Sequence, residues 1–134
     1  MTTTTITATL VDGPYIRGVK DKQTRISLTL PQQWTEIGLA LDLSAAALGS
    51  YTYITGWKFH GETVTDYGII PELISSEEGT GDDEGFLLAS GCKVVLHQSP
   101  AQTGNAEAAT MALGQVADTT DVSAFKCHLV VNGY

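Results

Sequence analysis

The alternating pattern at the C-terminal end of the chain constrains the fold more than any other feature. Along residues 125–131, apolar side chains recur at every second position. Because successive side chains of a strand point to opposite faces, a period of two predicts a half-buried strand. One face would carry Phe125, Cys127, Leu129 and Val131, and the other Lys126, His128 and Val130. A turn at residues 119–121 leads into this strand, so the sequence predicts a C-terminus that belongs to the folded domain.

Length and composition favour one domain rich in strands. The chain has 134 residues, and a domain of that size buries roughly two thirds of the surface that its unfolded chain exposes. Hydrophobic residues make up 43% of the sequence and charged residues only 16%, with many Thr, Ser, Gly and Ala residues between them. This composition favours strands and turns over long helices. We therefore expect a single domain spanning residues 1–134.

Short alternating segments recur along the rest of the chain. The segments predicted as strands are residues 3–11, 15–20, 24–30, 51–59, 63–70, 86–89 and 92–98. The predicted turns are residues 12–14, 21–22, 60–62 and 90–91, the last of which would close a hairpin. Seven or eight short strands separated by turn residues predict an all-β, antiparallel sandwich or barrel. It would begin with an N-terminal strand or arm at residues 1–11.

One segment has helical character. Residues 38–49 contain Ser44 as a candidate N-terminal cap, an Ala-rich run, and Gly49 as a candidate terminator. The run is too short for more than one or two turns. We therefore predict one short helical turn near residues 44–48.

The charge of the chain is strongly acidic but unevenly distributed. The net charge of -8 argues against nucleic acid as a partner, because phosphate binding needs a clustered positive face. Four of the seven basic residues nevertheless lie within nine positions, namely Arg17, Lys20, Lys22 and Arg25. This cluster fits a solvated hairpin edge that Lys and Arg protect from aggregation. It also fits a docking patch for an acidic protein surface, and contact with DNA is the least favoured interpretation.

The two cysteines, Cys92 and Cys127, lie on the apolar sides of predicted strands. Buried free thiols behave as small hydrophobic groups, which is the favoured interpretation. A disulfide would require that their strands be neighbours with suitable spacing. The three histidines, His60, His97 and His128, show no zinc-ligand spacing. His97 and His128 lie on the polar faces of predicted strands and His60 in a predicted turn, and a surface pair of imidazoles on neighbouring strands is the expectation.

Residues 75–85, called the acidic loop below, form a Gly-rich segment of low complexity. Its carboxylates are Glu77, Glu78, Asp82, Asp83 and Glu84. Their spacing does not follow the alternating oxygen ligands of an EF-hand loop. A solvated loop is favoured over weak cation binding.

No arrangement of catalytic groups stands out in the sequence. No serine lies in a Gly-x-Ser-x-Gly turn, and no cysteine–histidine pair has the pattern of an activated nucleophile. The glycines Gly79 and Gly81 precede acids that would repel phosphate. We therefore predict a protein that is not an enzyme and that uses no cofactor or metal.

Two further patterns bear on partners and location. The rings of Tyr51, Tyr53 and Trp57 share one parity and would form a sugar-stacking platform if exposed, although core packing is the favoured interpretation. The chain opens without the basic and apolar regions of a signal peptide and has no membrane-length apolar run. Synthesis and retention in a reducing cytoplasm, with no membrane partner, are expected.

Three blocks in order resemble a family of small tailed-phage head proteins that are encoded near the major capsid gene. Residues 41–49 are similar to the family's turn of the type Leu-Thr-Pro-Ala-x-Leu-Gly. Residues 85–86, followed by 93–98, resemble its Gly-aromatic hairpin, and residues 120–131 resemble its closing turn and strand. The chain departs from the pattern by placing Ser44 where the family has Pro, and by an added stretch at residues 60–83.

The resemblance implies a capsid decoration, or cement, protein with a jelly-roll-like sandwich. Such a protein would bind the major capsid protein on the outside of the virion, as a dimer or trimer. The cluster from Arg17 to Arg25 would dock on the shell, and residues 1–9 would add to a neighbouring sheet. The rival predictions are another virion component, such as a tail-tube or head-completion protein, and a glycan-binding module.

Overall fold

The computed structural model describes residues 2–17, 21–61, 69–98 and 114–134. Two antiparallel sheets pack against each other, which confirms the predicted all-β sandwich. The strands are β1 (Thr7–Arg17), β2 (Asp21–Thr29), β3 (Leu39–Ala40), β4 (Tyr53–Gly61), β5 (Ile69–Ser75), β6 (Leu87–Leu88), β7 (Cys92–Gln98), β8 (Gly114–Gln115) and β9 (Lys126–Gly133). The larger sheet has the order β1-β2-β9-β4-β6, and the smaller sheet has the order β3-β7-β5, with β8 paired to β7.

The core lies between the two sheets and is built from the alternating positions of their strands. In the larger sheet, β2 and β9 each bury every second side chain. In the smaller sheet, β5 alternates in the same way at its start, whereas β7 buries Val94, Val95 and Leu96 in succession. The largest fully buried side chains include those of Trp34, Tyr51, Ile26, Leu28, Leu96 and Leu129. This pattern follows from the period of two in the sequence.

The C-terminal strand β9 lies in the middle of the larger sheet. It pairs with β2 on one side and with β4 on the other. The predicted buried face is confirmed, since Phe125, Cys127, Leu129 and Val131 are all at most 5% exposed. The carbonyl oxygen of Tyr134 accepts hydrogen bonds from backbone N–H groups on both Thr52 and Tyr53. The C-terminus is therefore a structural member of the domain, as predicted.

The predicted break at residues 12–14 is wrong. One strand, β1, runs through this stretch and stays paired with β2, with register shifts on both sides of Asp12. Gly13 has a φ of +96°, which L side chains rarely adopt. A bulge uses the same residue types as a turn, and here the pairing with β2 continues across it. Asp21 and Lys22, predicted as a turn, belong to β2, and residues 18–20 lie outside the described residues.

The N-terminal strand starts later than predicted. β1 begins at Thr7, and the preceding segment lies against the loop after β2. The Oγ1 of Thr3 accepts a hydrogen bond from the N–H of Gln32 at 2.9 Å. The carbonyl of Thr3 accepts another from the N–H of Gln33 at 3.1 Å. This part of the predicted arm is therefore attached to its own domain.

Two predictions around the middle of the chain are also wrong. His60 and Gly61 belong to β4 instead of a turn. Of the predicted strand at residues 63–70, positions 63–68 lie outside the described residues, and Ile69 and Ile70 begin β5. Residues 86–98 do not form a hairpin, because β6 belongs to the larger sheet and β7 to the smaller one. A 3-10 turn, Ala89–Gly91, carries the chain from one sheet to the other.

The predicted helical turn is present as a 3-10 turn, Ala46–Leu48. Gly49 ends it in the left-handed region with a φ of 111°, as predicted. Ser44 is not its cap. The N-cap residue is Ala45, and the hydroxyl of Ser44 donates to the Asp42 carboxylate instead.

Candidate functional site

The predicted docking residues Lys22 and Arg25 do not share a face of the larger sheet. Lys22 and Arg25 are three positions apart on β2, so their side chains leave opposite faces of the strand. The Lys22 ammonium donates to the carbonyl oxygens of Gly49 at 2.7 Å and Ser50 at 3.1 Å. It also lies 4.8 Å from the ring centroid of Tyr51. Lys22 therefore ties β2 to the turn before β4.

The structure describes the other three members of the predicted cluster to different extents. Arg25 is exposed on the outer face of the larger sheet. The backbone of Arg17 pairs with Asp21 at the end of β1, and its side chain lies outside the described part of the chain. Lys20 also lies outside it. Of the described side chains in the cluster, Lys22 therefore contacts the turn at Gly49, whereas Arg25 faces solvent.

Strand β1 is an edge of the larger sheet and carries exposed apolar side chains. Its neighbour in the sheet is β2, and the sheet order places nothing on its other side among the described residues. Val11, Tyr15 and Ile16 are 52%, 56% and 80% exposed. The Tyr15 hydroxyl donates to the Asp12 carboxylate, and this contact raises the pKa of Tyr15. An open edge with apolar side chains is a template for pairing with another chain.

The outer face of the larger sheet gathers basic side chains from three strands. They are Arg25 on β2, Lys126 and His128 on β9, and Lys58 and His60 on β4, together called the basic face. All are exposed except His128, which is half-buried. Across the β4–β9 pair His60 lies directly opposite His128, and Nη2 of Arg25 lies 3.4 Å from Nδ1 of His128.

The sequence does not reveal the basic face. The five residues come from three strands that are far apart in the chain, and they meet because β9 inserts between β2 and β4. The part of the basic face that a single sequence segment shows is the polar side of β9, which carries Lys126 and His128. The sequence places His97 and His128 on strands and His60 in a turn. In the structure it is His60 that lies opposite His128, whereas His97 lies in the smaller sheet with its Nε2 3.1 Å from a Glu72 carboxylate oxygen.

The acidic loop is solvent-facing. The side chains of Glu77, Glu78, Asp82 and Glu84 are exposed, and that of Asp83 is half-buried. A 3-10 turn, Gly81–Asp83, shapes its centre. Within the described ranges, no group of three or more His, Cys, Asp or Glu side chains is arranged to hold a metal ion.

Both cysteines are buried and free, as predicted. Cys92 belongs to the smaller sheet and Cys127 to the larger one. Burial raises the pKa of Cys92 to about 11 and that of Cys127 to about 12. Because the thiolate is the reactive form, these thiols are inert as nucleophiles at neutral pH.

The three-ring sugar platform is absent from the surface. Tyr51 is only 1% exposed, which confirms for this residue the interpretation that its ring packs in the core. A register irregularity between Ile54 and Gly56 shifts the parity of β4. As a result Trp57 lies opposite Val131 on the inward side of β4, is 38% exposed, and has its ring centroid 5.5 Å from that of Phe59.

Models of protein families, curated proteins and solved structures yield no match to this chain. Within the described ranges, no helix has the length and apolar character that crossing a membrane requires. We therefore infer the function from the surfaces of the domain itself.

Proposed function

We propose that this protein is a virion structural protein, a capsid decoration protein that binds the outside of a phage head and stabilises contacts between capsomers. The single observation that carries the proposal is the open edge of β1 with its exposed apolar side chains. The resemblance of the three sequence blocks to phage head proteins supports the same role.

The edge of β1 suits attachment to a shell protein by strand addition. An added strand would gain main-chain hydrogen bonds along the edge, and side-chain contacts at Val11, Tyr15 and Ile16 would add specificity. Ile16 contributes most, since it is 80% exposed in the isolated domain. Burial of such an isoleucine by a partner stabilises the complex, because apolar surface is removed from water.

Basic residues would assist attachment at the β1 edge. Arg17, Lys20 and Arg25 are the docking residues of the proposal; Arg25 is exposed on β2, and the backbone of Arg17 ends β1. Lys22 is set apart from them because its ammonium binds the carbonyls of Gly49 and Ser50. Rim charges of this kind steer association and make it sensitive to salt. Since a shell presents many equivalent sites, a modest contact at each one suffices for firm attachment.

Electron cryo-microscopy of virions that carry this protein tests the role directly. Density for the sandwich on the outer surface of the head would support the proposal. Density in the tail tube or at the head–tail junction would support the rival virion roles and overturn this one. The burial of Tyr51 removes the platform on which a glycan-binding module was based, so that role is not proposed.

A binding assay with emptied heads isolates the role of the β1 edge. We expect Ile16→Asp to weaken binding by at least about tenfold, which corresponds to about 1.4 kcal/mol. The matched control is Ile37→Asp, because Ile37 is also exposed, at 69%, but lies in the loop before β3. Equal binding by the two variants would overturn the assignment of the edge.

A further inference from the structure

Strand β9 ends with an asparagine followed by a glycine, Asn132 and Gly133. Both lie in a central strand of the larger sheet. Asn132 pairs with Gln23 on β2 and with Gly56 on β4, and Gly133 likewise has a partner on each of these strands. The two residues are therefore held in extended backbone from both sides.

The fold leaves no room for a side chain at position 133. A Cβ built on Gly133 would lie 2.0 Å from the carbonyl oxygen of Tyr53. The same carbonyl accepts a hydrogen bond from the N–H of Tyr134 at 3.1 Å, so it cannot move aside without breaking that bond. The structure thus requires glycine directly after Asn132, and the backbone nitrogen of a glycine has no neighbouring side chain to shield it.

The side chain of Asn132 is accessible to water. It lies on the outer face of the larger sheet and is half-buried. Its neighbour on β4 is Gly56, where even an added Cβ would lie 3.9 Å from the Asn132 side-chain nitrogen. Water therefore has access to the amide group.

We propose that Asn132 is a site of spontaneous deamidation, and that the pairing of β9 with β2 and β4 suppresses this modification in the folded protein. The backbone nitrogen of Gly133 attacks Cγ of Asn132 and forms a new N–C bond. The Cγ–Nδ2 bond breaks, and the side-chain nitrogen leaves as ammonia with the proton of the Gly133 N–H. The product is a five-membered succinimide ring.

Water, the co-reactant, then opens the ring at one of its two carbonyl carbons. Attack at Cγ gives aspartate with the normal backbone. Attack at the main-chain carbonyl carbon of residue 132 gives isoaspartate, in which the backbone runs through Cβ and Cγ. Neither step oxidises or reduces any group. This modification is independent of the proposed function, since it concerns the chain by itself.

The sheet suppresses the first step because ring closure needs a different backbone conformation. In an antiparallel strand ψ is near about +135°, and the Gly133 nitrogen has to rotate from there toward the Asn132 side chain. Since β9 lies between β2 and β4, that rotation breaks pairing on both sides. The reaction therefore proceeds from a locally opened form, and its rate is the rate of the unfolded chain multiplied by the open fraction.

Isoaspartate would prevent β9 from pairing again in its original register. Its backbone is longer by one methylene group, so Gly133 would no longer meet the carbonyl of Tyr53. A register change in a strand with one buried face is strongly unfavourable. The isoaspartyl product is thus expected to be less stable than the parent.

The rates of deamidation in the folded and the denatured chain test the proposal. The full chain is incubated in one mildly alkaline buffer with and without denaturing guanidinium chloride, and mass spectrometry follows the peptide that contains Asn132. We expect conversion in guanidinium chloride and a rate at least about a hundredfold lower in the folded protein. Equal rates in the two states, or no conversion in the denatured chain, would overturn the proposal.

Asn105 is an internal reference for the chemistry of the denatured chain. It is the other asparagine of the sequence and precedes Ala106 instead of a glycine. Because a methyl group hinders the attacking nitrogen, Asn105 should convert at least several-fold more slowly than Asn132 in guanidinium chloride. Equal rates for the two asparagines would refute the role of Gly133.

Two variants of β9 relate the rate to opening of the strand. Leu129 is 0% exposed, so Leu129→Ala removes core packing and should accelerate deamidation of the folded protein by at least about tenfold. Val130→Ala, on the outer face of the same strand, should change the rate by less than about threefold. If Leu129→Ala does not fold, guanidinium chloride below the unfolding transition raises the open fraction of the parent instead. A rate that does not increase would contradict protection by β9.

Asn132→Asp is the matched control for the effect of isoaspartate. It carries the charge of the product with a normal backbone, and we expect it to fold. The isoaspartyl chain, separated by chromatography and refolded, should have a lower unfolding midpoint by circular dichroism than this variant. Equal midpoints would refute the predicted loss of register.

Discussion

The hydroxyl oxygens of Thr24 and Tyr51 lie 2.6 Å apart in the core of the sandwich. Thr24 and Tyr51 are each only 1% exposed. The Tyr51 hydroxyl also lies 3.5 Å from the carbonyl oxygen of Val131 on β9. The pair therefore connects β2, the segment before β4 and β9 at one end of the core, and each hydroxyl satisfies the other away from water.

Removing one hydroxyl of this pair should cost more than removing both. Tyr51→Phe leaves Thr24 with a buried, unsatisfied hydroxyl, which costs about 1–3 kcal/mol. The double variant with Thr24→Val should recover most of that loss, because no unpaired polar group remains. Urea denaturation of the two single variants and the double variant gives the coupling energy.

The matched control is Tyr53→Phe. Tyr53 is half-buried, and its ring packs against that of Tyr134 with centroids 5.8 Å apart. Loss of its hydroxyl should change the free energy of unfolding by less than about 0.5 kcal/mol. Additive losses in the Thr24 and Tyr51 variants would contradict the coupling.

Lys22 should act on stability and Arg25 should not. Lys22→Met removes two charge-assisted hydrogen bonds to the carbonyls of Gly49 and Ser50 and the contact with the Tyr51 ring. We expect a loss of about 1–2 kcal/mol in the free energy of unfolding. Arg25→Met, on the exposed outer face of the same strand, should change it by less than about 0.5 kcal/mol. Thermal melts of both variants measure the two losses of stability, and equal losses would contradict the structural role of Lys22.

The sequence predicts β2 and β9 well because each has one buried and one exposed face. Their period of two is a local signal that needs no knowledge of the partner strands. Gly49, which ends the helical turn, is likewise a local signal. The break at residues 12–14 is wrongly predicted, because Gly13 serves a turn or a bulge equally well, and only pairing with β2 decides between them.

The candidate surfaces depend on long-range pairing and are therefore harder to predict. Lys22 and Arg25 are close in sequence, but the strand sends them to opposite faces. The parity of β4 changes at the irregularity near Gly56, so Trp57 does not share a face with Tyr53 as simple alternation predicts. His60 meets His128 only because β4 pairs with the last strand of the chain. No local pattern contains that information.

The buried thiols should make the protein less stable in alkali. Burial raises the pKa of Cys92 to about 11 and of Cys127 to about 12, from an ordinary value near 9. As the pH rises above 9 the unfolded chain loses these protons first, so unfolding becomes easier. The stability contributed by each thiol is complete below pH 9 and declines by about 1.4 kcal/mol per pH unit until the folded thiol ionises.

Denaturation at several pH values measures this slope. In the double variant Cys92→Ala with Cys127→Ala the slope between about pH 9 and 11 should be smaller, whatever the cost of the cavities at neutral pH. A thiol reagent at about pH 8 should label neither cysteine in the folded protein and both in denaturant. Rapid labelling of the folded protein would contradict the burial.

Gly133 is the position in β9 that should tolerate a side chain least. A Cβ built there would lie 2.0 Å from the carbonyl oxygen of Tyr53 and 3.1 Å from the Cα of Ile54, both in the backbone. Backbone at that distance has to move, which would separate β9 from β4 at the C-terminus. Gly133→Ala should therefore cost at least about 2–3 kcal/mol.

Gly56→Ala is the matched control within the same strand pair. Gly56 lies on β4 opposite Asn132, and its nearest neighbour to an added Cβ is the Asn132 side-chain nitrogen at 3.9 Å, an ordinary contact. Because the space is open, this variant should differ from the parent by less than about 1 kcal/mol. Urea denaturation compares the two directly. If both variants are equally stable, the close approach of Gly133 to Tyr53 does not hold β9 in place.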